Sequence, residues 1–159
     1  MQRSDSRFDV IIVGGGPAGA STAYALARGG ARVLVLDRAA FPRAKACAEY
    51  LNPQASRLLS DMGALDSVEA AGAAHLDGMI IRAPSGAALR GDFVAAHGYR
   101  AFRDRGLALR RTVLDPILVN AAVEAGVEVR FGFSVTGLVR DRSGRPAGVT
   151  GTCDREPVR

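Results

Sequence analysis

The spacing of three glycines, Gly14, Gly16 and Gly19, between two apolar runs is the feature that most limits what this chain can fold into. Ahead of them, Phe8 to Val13 (FDVIIV) is short, rich in β-branched residues and bounded by glycine, the pattern of a strand buried on both faces. Ala18 to Arg28 follows with helical spacing, and its face of Ala20, Ala23, Tyr24 and Ala27 is mostly small enough to lie close on a sheet. Gly29 and Gly30 end that helix, and Ala31 to Leu36 predicts a second buried strand closed by Asp37. The glycines of the G-x-G-x-x-G spacing serve different mechanical ends, Gly14 the sharp turn, Gly16 the close approach of a pyrophosphate, and Gly19 the packing of helix on strand. N–H groups at the helix start, carrying roughly half a positive charge, face the phosphates. Asp37 falls at roughly the twenty-residue offset where an acid accepts from ribose hydroxyls. The glycines alone are a weak signal, but strand, turn, helix, strand and acid in register point to a dinucleotide. NAD and FAD use the same turn, so spacing leaves the choice between them open.

At 159 residues there is room for one α/β domain with a real core. The formal charge of +5 invites a nucleic-acid reading, but every basic residue except Lys45 is an arginine and they are scattered along the chain, so no basic patch results and nucleic-acid binding is not expected. Two cysteines, Cys47 and Cys153, make no disulfide framework, which predicts a reducing, cytoplasmic setting. No apolar run has the length of a membrane span. His75 and His97 lack partners at ligand spacing, so no metal site is expected.

Arg38 to Asn52 has no steady period and reads as a loop, with a solvated course and a buried cysteine favoured by residue type alone. Its place after a parallel strand nevertheless puts Arg43, Lys45, Cys47 and Glu49 where ligand crevices form. Asn52-Pro53 predicts an N-cap and first helical position, with helices up to Gly63 and over 65–71. A small β insertion is expected within residues 76–103, with strands at Met79-Ile80-Ile81 and Ala87 to Val94 about a turn at Pro84-Ser85-Gly86. Arg110 to Gly126 carries a helical face of Val113, Leu114, Ile117, Leu118, Ala121 and Ala122, and Pro116 predicts a helix that begins close to it. Strands over 127–133, 134–140 and from Ala147 follow, and after Thr150 the polar chain predicts no further core element.

The run DVIIVGGGPAGASTAYALARGGARVLVLD resembles the amino-terminal FAD-binding unit of the flavoprotein monooxygenase superfamily, the group of para-hydroxybenzoate hydroxylase, geranylgeranyl reductases and flavin-dependent halogenases. FPRAKAC at Phe41 to Cys47 is similar to the loop after the family's second strand, although the Cys-Gly pair of the geranylgeranyl-reductase branch is here Cys47-Ala48. Arg111-Thr112-Val113-Leu114-Asp115 is similar to the family's arginine-led helix, and Ser134-Val135-Thr136-Gly137-Leu138 to the strand whose backbone holds the adenine edge. The resemblance implies a Rossmann-like FAD/NAD(P)-binding α/β domain with a parallel sheet over residues 1–159, incomplete at the C-terminus because the family's later Gly-Ala-Asp-Gly and Gly-Asp segments are not reached.

It also implies FAD as cofactor, with NAD(P)H as electron donor and a small organic molecule as substrate. The cofactor-binding residues it implies are Gly14, Gly16, Pro17, Ala18, Gly19, Asp37, Arg38, Arg43, Arg111 and Val135; no residue is assigned to catalysis or to a metal. The expected function is the FAD-binding portion of an NAD(P)H-dependent monooxygenase. The alternatives are a geranylgeranyl-reductase-like flavoprotein reducing prenyl double bonds and an inactive, truncated dinucleotide-binding module, with a missing C-terminal half or split partner chain as the implied companion.

Overall fold

The computed structural model describes residues 7–47, 49–94, 98 and 100–153, with the strand backbone at 156–158. The chain divides into two compact units: residues 44–117, and the flanking segments up to Arg43 and from Leu118 onward.

The flanking unit is built on a parallel sheet. Strand β1 (Val10–Val13) pairs with β2 (Val33–Asp37), Val10 opposite Val33 and Val13 opposite Leu36, and β2 pairs on its other side with β8 (Glu128–Phe131). All five residues of the central strand β2 are buried. The sequence predicts the same for β1, but this strand is only partly buried and Val13 is 59% exposed. Its place in the sheet order explains the difference, since β1 has a paired neighbour on one edge only among the described residues. Helix α1 (Pro17–Arg28) packs its small residues inward, so that Ala23, Val33, Val35, Ala122 and Val127 form the core, flanked by Ile12, Tyr24, Leu26, Ala27, Ala31 and Val129. Burial of such side chains contributes about 25 cal/mol for each Å² of apolar area removed from water. Gly30, at φ +89°, turns the chain out of the helix. A second, antiparallel sheet runs in the order β11 (Glu156–Val158), β10 (Pro146–Cys153), β9 (Phe133–Arg140). The polar chain after Thr150 therefore continues as strand, because its ladder partners on β9 supply the hydrogen bonds that its composition does not advertise.

In the 44–117 unit, β3 (Tyr50–Leu51) and β4 (Ala74–Leu76) flank β7 (Gly106–Ala108), while β5 (Gly78–Arg82) and β6 (Ala88–Asp92) form a separate hairpin. Met79, Ile80, Ile81 and Leu89 of that hairpin are exposed. Helices α2 (Ala55–Asp61) and α3 (Leu65–Ala70) lie between β3 and β4 in the chain. Helix α2 starts later than Asn52-Pro53 predicts, because the Asn52 side chain and carbonyl both accept from the Ala55 N–H and close a turn first.

Helix α4 (Arg111–Glu124) departs most from expectation: it starts well before Pro116 and carries that proline in its interior. The turn is braced by an Arg111–Asp115 ion pair spanning i to i+4, which offsets the hydrogen bond that proline cannot donate. The buried stripe is also rotated, with Val119 inside and Val113 exposed.

Candidate functional site

At the turn between β1 and α1 the three glycines differ in what the backbone asks of them. Gly14 adopts φ +104°, a conformation open essentially to glycine. At Gly19 the limit is space: a Cβ there would lie 1.8 Å from the Gly14 carbonyl oxygen, so helix and turn touch through backbone. Gly16, the N-cap of α1, sits at φ −70° and ψ −176°, extended backbone that any residue adopts, so local conformation does not call for glycine there. Pro17 occupies the first helical turn, where a missing N–H costs nothing, and no acidic residue opposes an anion in that turn. Ala18 beside it is exposed.

Asp37 ends β2 facing this turn and is only 5% exposed. Its Oδ2 accepts from the Gly15 N–H at 2.8 Å and from Arg43 Nη2 at 3.3 Å, while Oδ1 accepts from the Ala39 N–H at 2.9 Å. Burial alone pushes the Asp37 carboxyl up, but the two backbone donors and the Arg43 guanidinium outweigh it and hold the group below the usual carboxylate range. Arg43 also lies over the Phe41 ring, 4.7 Å from its centroid, and Phe41 in turn packs 5.0 Å from Phe131. Arg38, next to Asp37, is exposed. Val135 lies half-buried on β9 opposite Gly151.

The 44–117 unit holds a cavity of about 420 Å³ lined by Ala44, Lys45, Ala46, Glu49, Arg110, Arg111 and Thr112. Three of these side chains are cationic and one is acidic, so the lining favours an anion. Arg111 is fixed by two hydrogen bonds to Asp115, at 2.6 and 2.9 Å, and the Asp115 carboxylate strengthens its hold on its proton against the opposing effect of burial. Cys47 lies near enough to Arg111 for its sulfur to add to that hold. The loop therefore does not bury its cysteine, as residue type suggests; Cys47 is exposed, and the cation beside it comes from a distant helix that local pattern does not connect to it. Glu49 has φ +56°, unusual for a residue with a side chain, and its carbonyl accepts from the Leu109 N–H. His75 is bonded to Glu69, which Arg103 also engages, and His97 lies outside the described residues.

Of the residues named from sequence, the structure gathers Gly14, Gly16, Pro17, Gly19, Asp37 and Arg43 at one turn, and places Arg111 on the lining of the cavity. The turn suits a dinucleotide: its backbone is uncovered at Gly14, where an added Cβ meets nothing within 4 Å, and the carboxylate is tied to the same turn through the Gly15 N–H. Among the described residues, no helix is long and apolar enough to cross a membrane.

Comparison with known proteins agrees with this geometry. The chain is 38% identical over 125 residues to digeranylgeranylglycerophospholipid reductase 1 of Methanopyrus kandleri, covering 78% of this chain and 29% of that protein. It is 34% identical over 152 residues to 12-dehydrotetracycline 5-monooxygenase/anhydrotetracycline 6-monooxygenase of Streptomyces rimosus, covering 91% of this chain and 27% of that one. Among solved structures, the myxobacterial FAD-dependent chondrochloren halogenase superimposes with a TM-score of 0.82 at 27% identity, over 94% of this chain and 34% of the other. The chain thus spans about a third of the length of the curated relatives it matches. Residues 7–157 match the FAD-binding domain family, so the chain belongs to that family, and FAD is its cofactor.

Proposed function

We propose that this chain is the FAD-binding portion of an NAD(P)H-dependent monooxygenase acting on a small organic substrate. The observation that carries the dinucleotide part of the reading is Gly16, a glycine in a conformation that does not require one, at the mouth of a helix with no acid in its first turn. A side chain absent for no conformational reason leaves room for a pyrophosphate to approach the backbone. Gly14, Pro17, Ala18 and Gly19 shape that approach, Asp37 accepts from ribose, the Val135 backbone borders the adenine and Arg38 flanks the ribose end. When bound, FAD would supply the redox chemistry of such an enzyme, and these residues would hold and orient it. Support for oxygenation comes from the tetracycline monooxygenase among the relatives.

Titration of the purified chain with FAD should quench flavin fluorescence, and Gly16→Val should lose that binding at least tenfold while remaining folded. Absence of quenching alongside tight NAD binding would overturn the reading. A second reading, reduction of prenyl double bonds, is favoured by the identity to a digeranylgeranyl lipid reductase. In a protein carrying this chain at the length of its relatives, saturation of a prenyl substrate by NADPH under nitrogen would select that reading over oxygenation.

A further inference from the structure

An ionised carboxylate offers about four acceptor positions, and three of those on Asp37 are taken. Two are filled by backbone N–H groups, of Gly15 in the phosphate turn and Ala39 just past the strand, which cannot leave without unmaking both. The third donor, Arg43, is a side chain, and its hydrogen bond to Asp37, 3.3 Å, is the longest of the three. The carboxylate is well covered at this contact: the Asp37 side chain is 6% exposed and that of Arg43 16%. Phe41 extends the cover: its ring carries Arg43 and stands where a Cβ on Gly15 would touch it at 3.4 Å. A ribose ring brings hydroxyl donors with a bulky sugar behind them, and a carboxylate so enclosed does not admit one.

We propose that Phe41 to Arg43 form a latch over the nucleotide turn, in which Arg43 occupies the donor position on Asp37 that a ribose hydroxyl takes, so that a dinucleotide binds only as Arg43 withdraws. This rests on the reading of the turn as an FAD site and assigns Arg43 the opposite sign to the one its sequence position suggests. As a cofactor ligand, Arg43 would strengthen FAD binding; as a competing donor it weakens it.

The test is FAD titration of the chain, followed by flavin quenching, beside Arg43→Met and Arg43→Lys. Arg43→Met removes the donor at similar length and should bind FAD about three- to fivefold more tightly, the upper part of the range for an ion pair of up to about 1 kcal/mol. Arg43→Lys keeps a competing cation and should stay within about twofold of the unmutated chain. Equal or weaker binding by Arg43→Met overturns the latch while leaving the FAD site standing. No quenching by any of the three chains, with the Gly15 and Ala39 amides still protected from hydrogen exchange, overturns the FAD reading and the latch together. Should Arg43→Met fail to fold, the unmutated chain decides: the Arg43 guanidinium proton signals should shift on saturation with FAD, and unchanged signals overturn the proposal.

Discussion

Arg111 and Asp115 stand one helical turn apart on α4, joined by two short hydrogen bonds, with the carboxylate fully buried and the arginine 9% exposed. Arg43 reaches Asp37 from a loop through one longer contact, and that carboxylate has two backbone donors besides. Both are arginine–aspartate pairs, yet their energetics should differ. In the first, two buried charges depend on each other, and removing one strands the other out of water. In the second, the backbone satisfies most of the carboxylate's needs and the arginine can be exchanged for another donor. A fixed pair suits a residue that must present a charge to a cavity, and an exchangeable one suits an acid that must receive a ligand.

The largest expected effect therefore falls on α4. Asp115→Ala should destabilise the chain by about 3–5 kcal/mol, because it leaves the Arg111 guanidinium buried without its carboxylate. A thermal melt should show a fall of about 10 °C for a chain of this size. Asp37→Ala should cost less in stability, about 1–3 kcal/mol, since the loss is of acceptors for the Gly15 and Ala39 N–H groups while Arg43 keeps its place over the Phe41 ring. Equal losses in the two variants would break the contrast drawn between the pairs. FAD affinity should sharpen it from the other side: Asp37→Ala should weaken FAD binding by about 1.5–3 kcal/mol, the value of a charge-assisted hydrogen bond, in a titration of the folded variant.

These two pairs are not equally legible in the sequence. The glycine turn and Asp37 are readable because the reasons for them are local: a glycine at φ +104°, a backbone contact between Gly14 and Gly19, and an acid at the end of a strand whose length is set by its apolar run. The family resemblance adds FAD to a pattern that NAD would fit as well. What stays hidden depends on chain segments that meet only on folding. In sequence Arg43 looks like a residue aimed at a ligand, and its ion pair with Asp37 is not visible there; Cys47 looks buried and without a cation, whereas Arg111 sits against it. Val10 to Val13 reads as a fully buried strand because apolar runs report burial without reporting how many neighbours the sheet provides. Pro116 marks a helix start on intrinsic grounds, and the side-chain pair that carries the helix past it is visible only as geometry. Local rules thus locate the cradle, and tertiary contacts decide which charged groups are occupied within it.

Acid sets the smallest and most specific test of the Asp37 side of the comparison. The folded-state pKa of Asp37 lies below its ordinary value, with burial acting upward and the Ala39 and Gly15 N–H groups and Arg43 prevailing downward. A carboxylate of this kind contributes its stability fully above the unfolded value of about 3.9 and loses it as pH falls through the lowered folded value. Glu69, Asp104 and Asp141 are lowered as well, so the total acid dependence of the chain cannot be read as that of Asp37. The useful quantity is the difference in unfolding free energy between the chain and Asp37→Asn, measured by denaturant titration. It should be flat from about pH 7 to about pH 5 and shrink below about pH 4, as protonation removes from the unmutated chain the charge that asparagine lacks throughout. Arg43→Met should show the same onset with a smaller amplitude, because only one of three donors is gone. An acid-labile difference that vanished entirely in Arg43→Met would make the ion pair, and not the backbone, the main hold on Asp37, and an arginine that holds so firmly would be a poor candidate for exchange with a ribose.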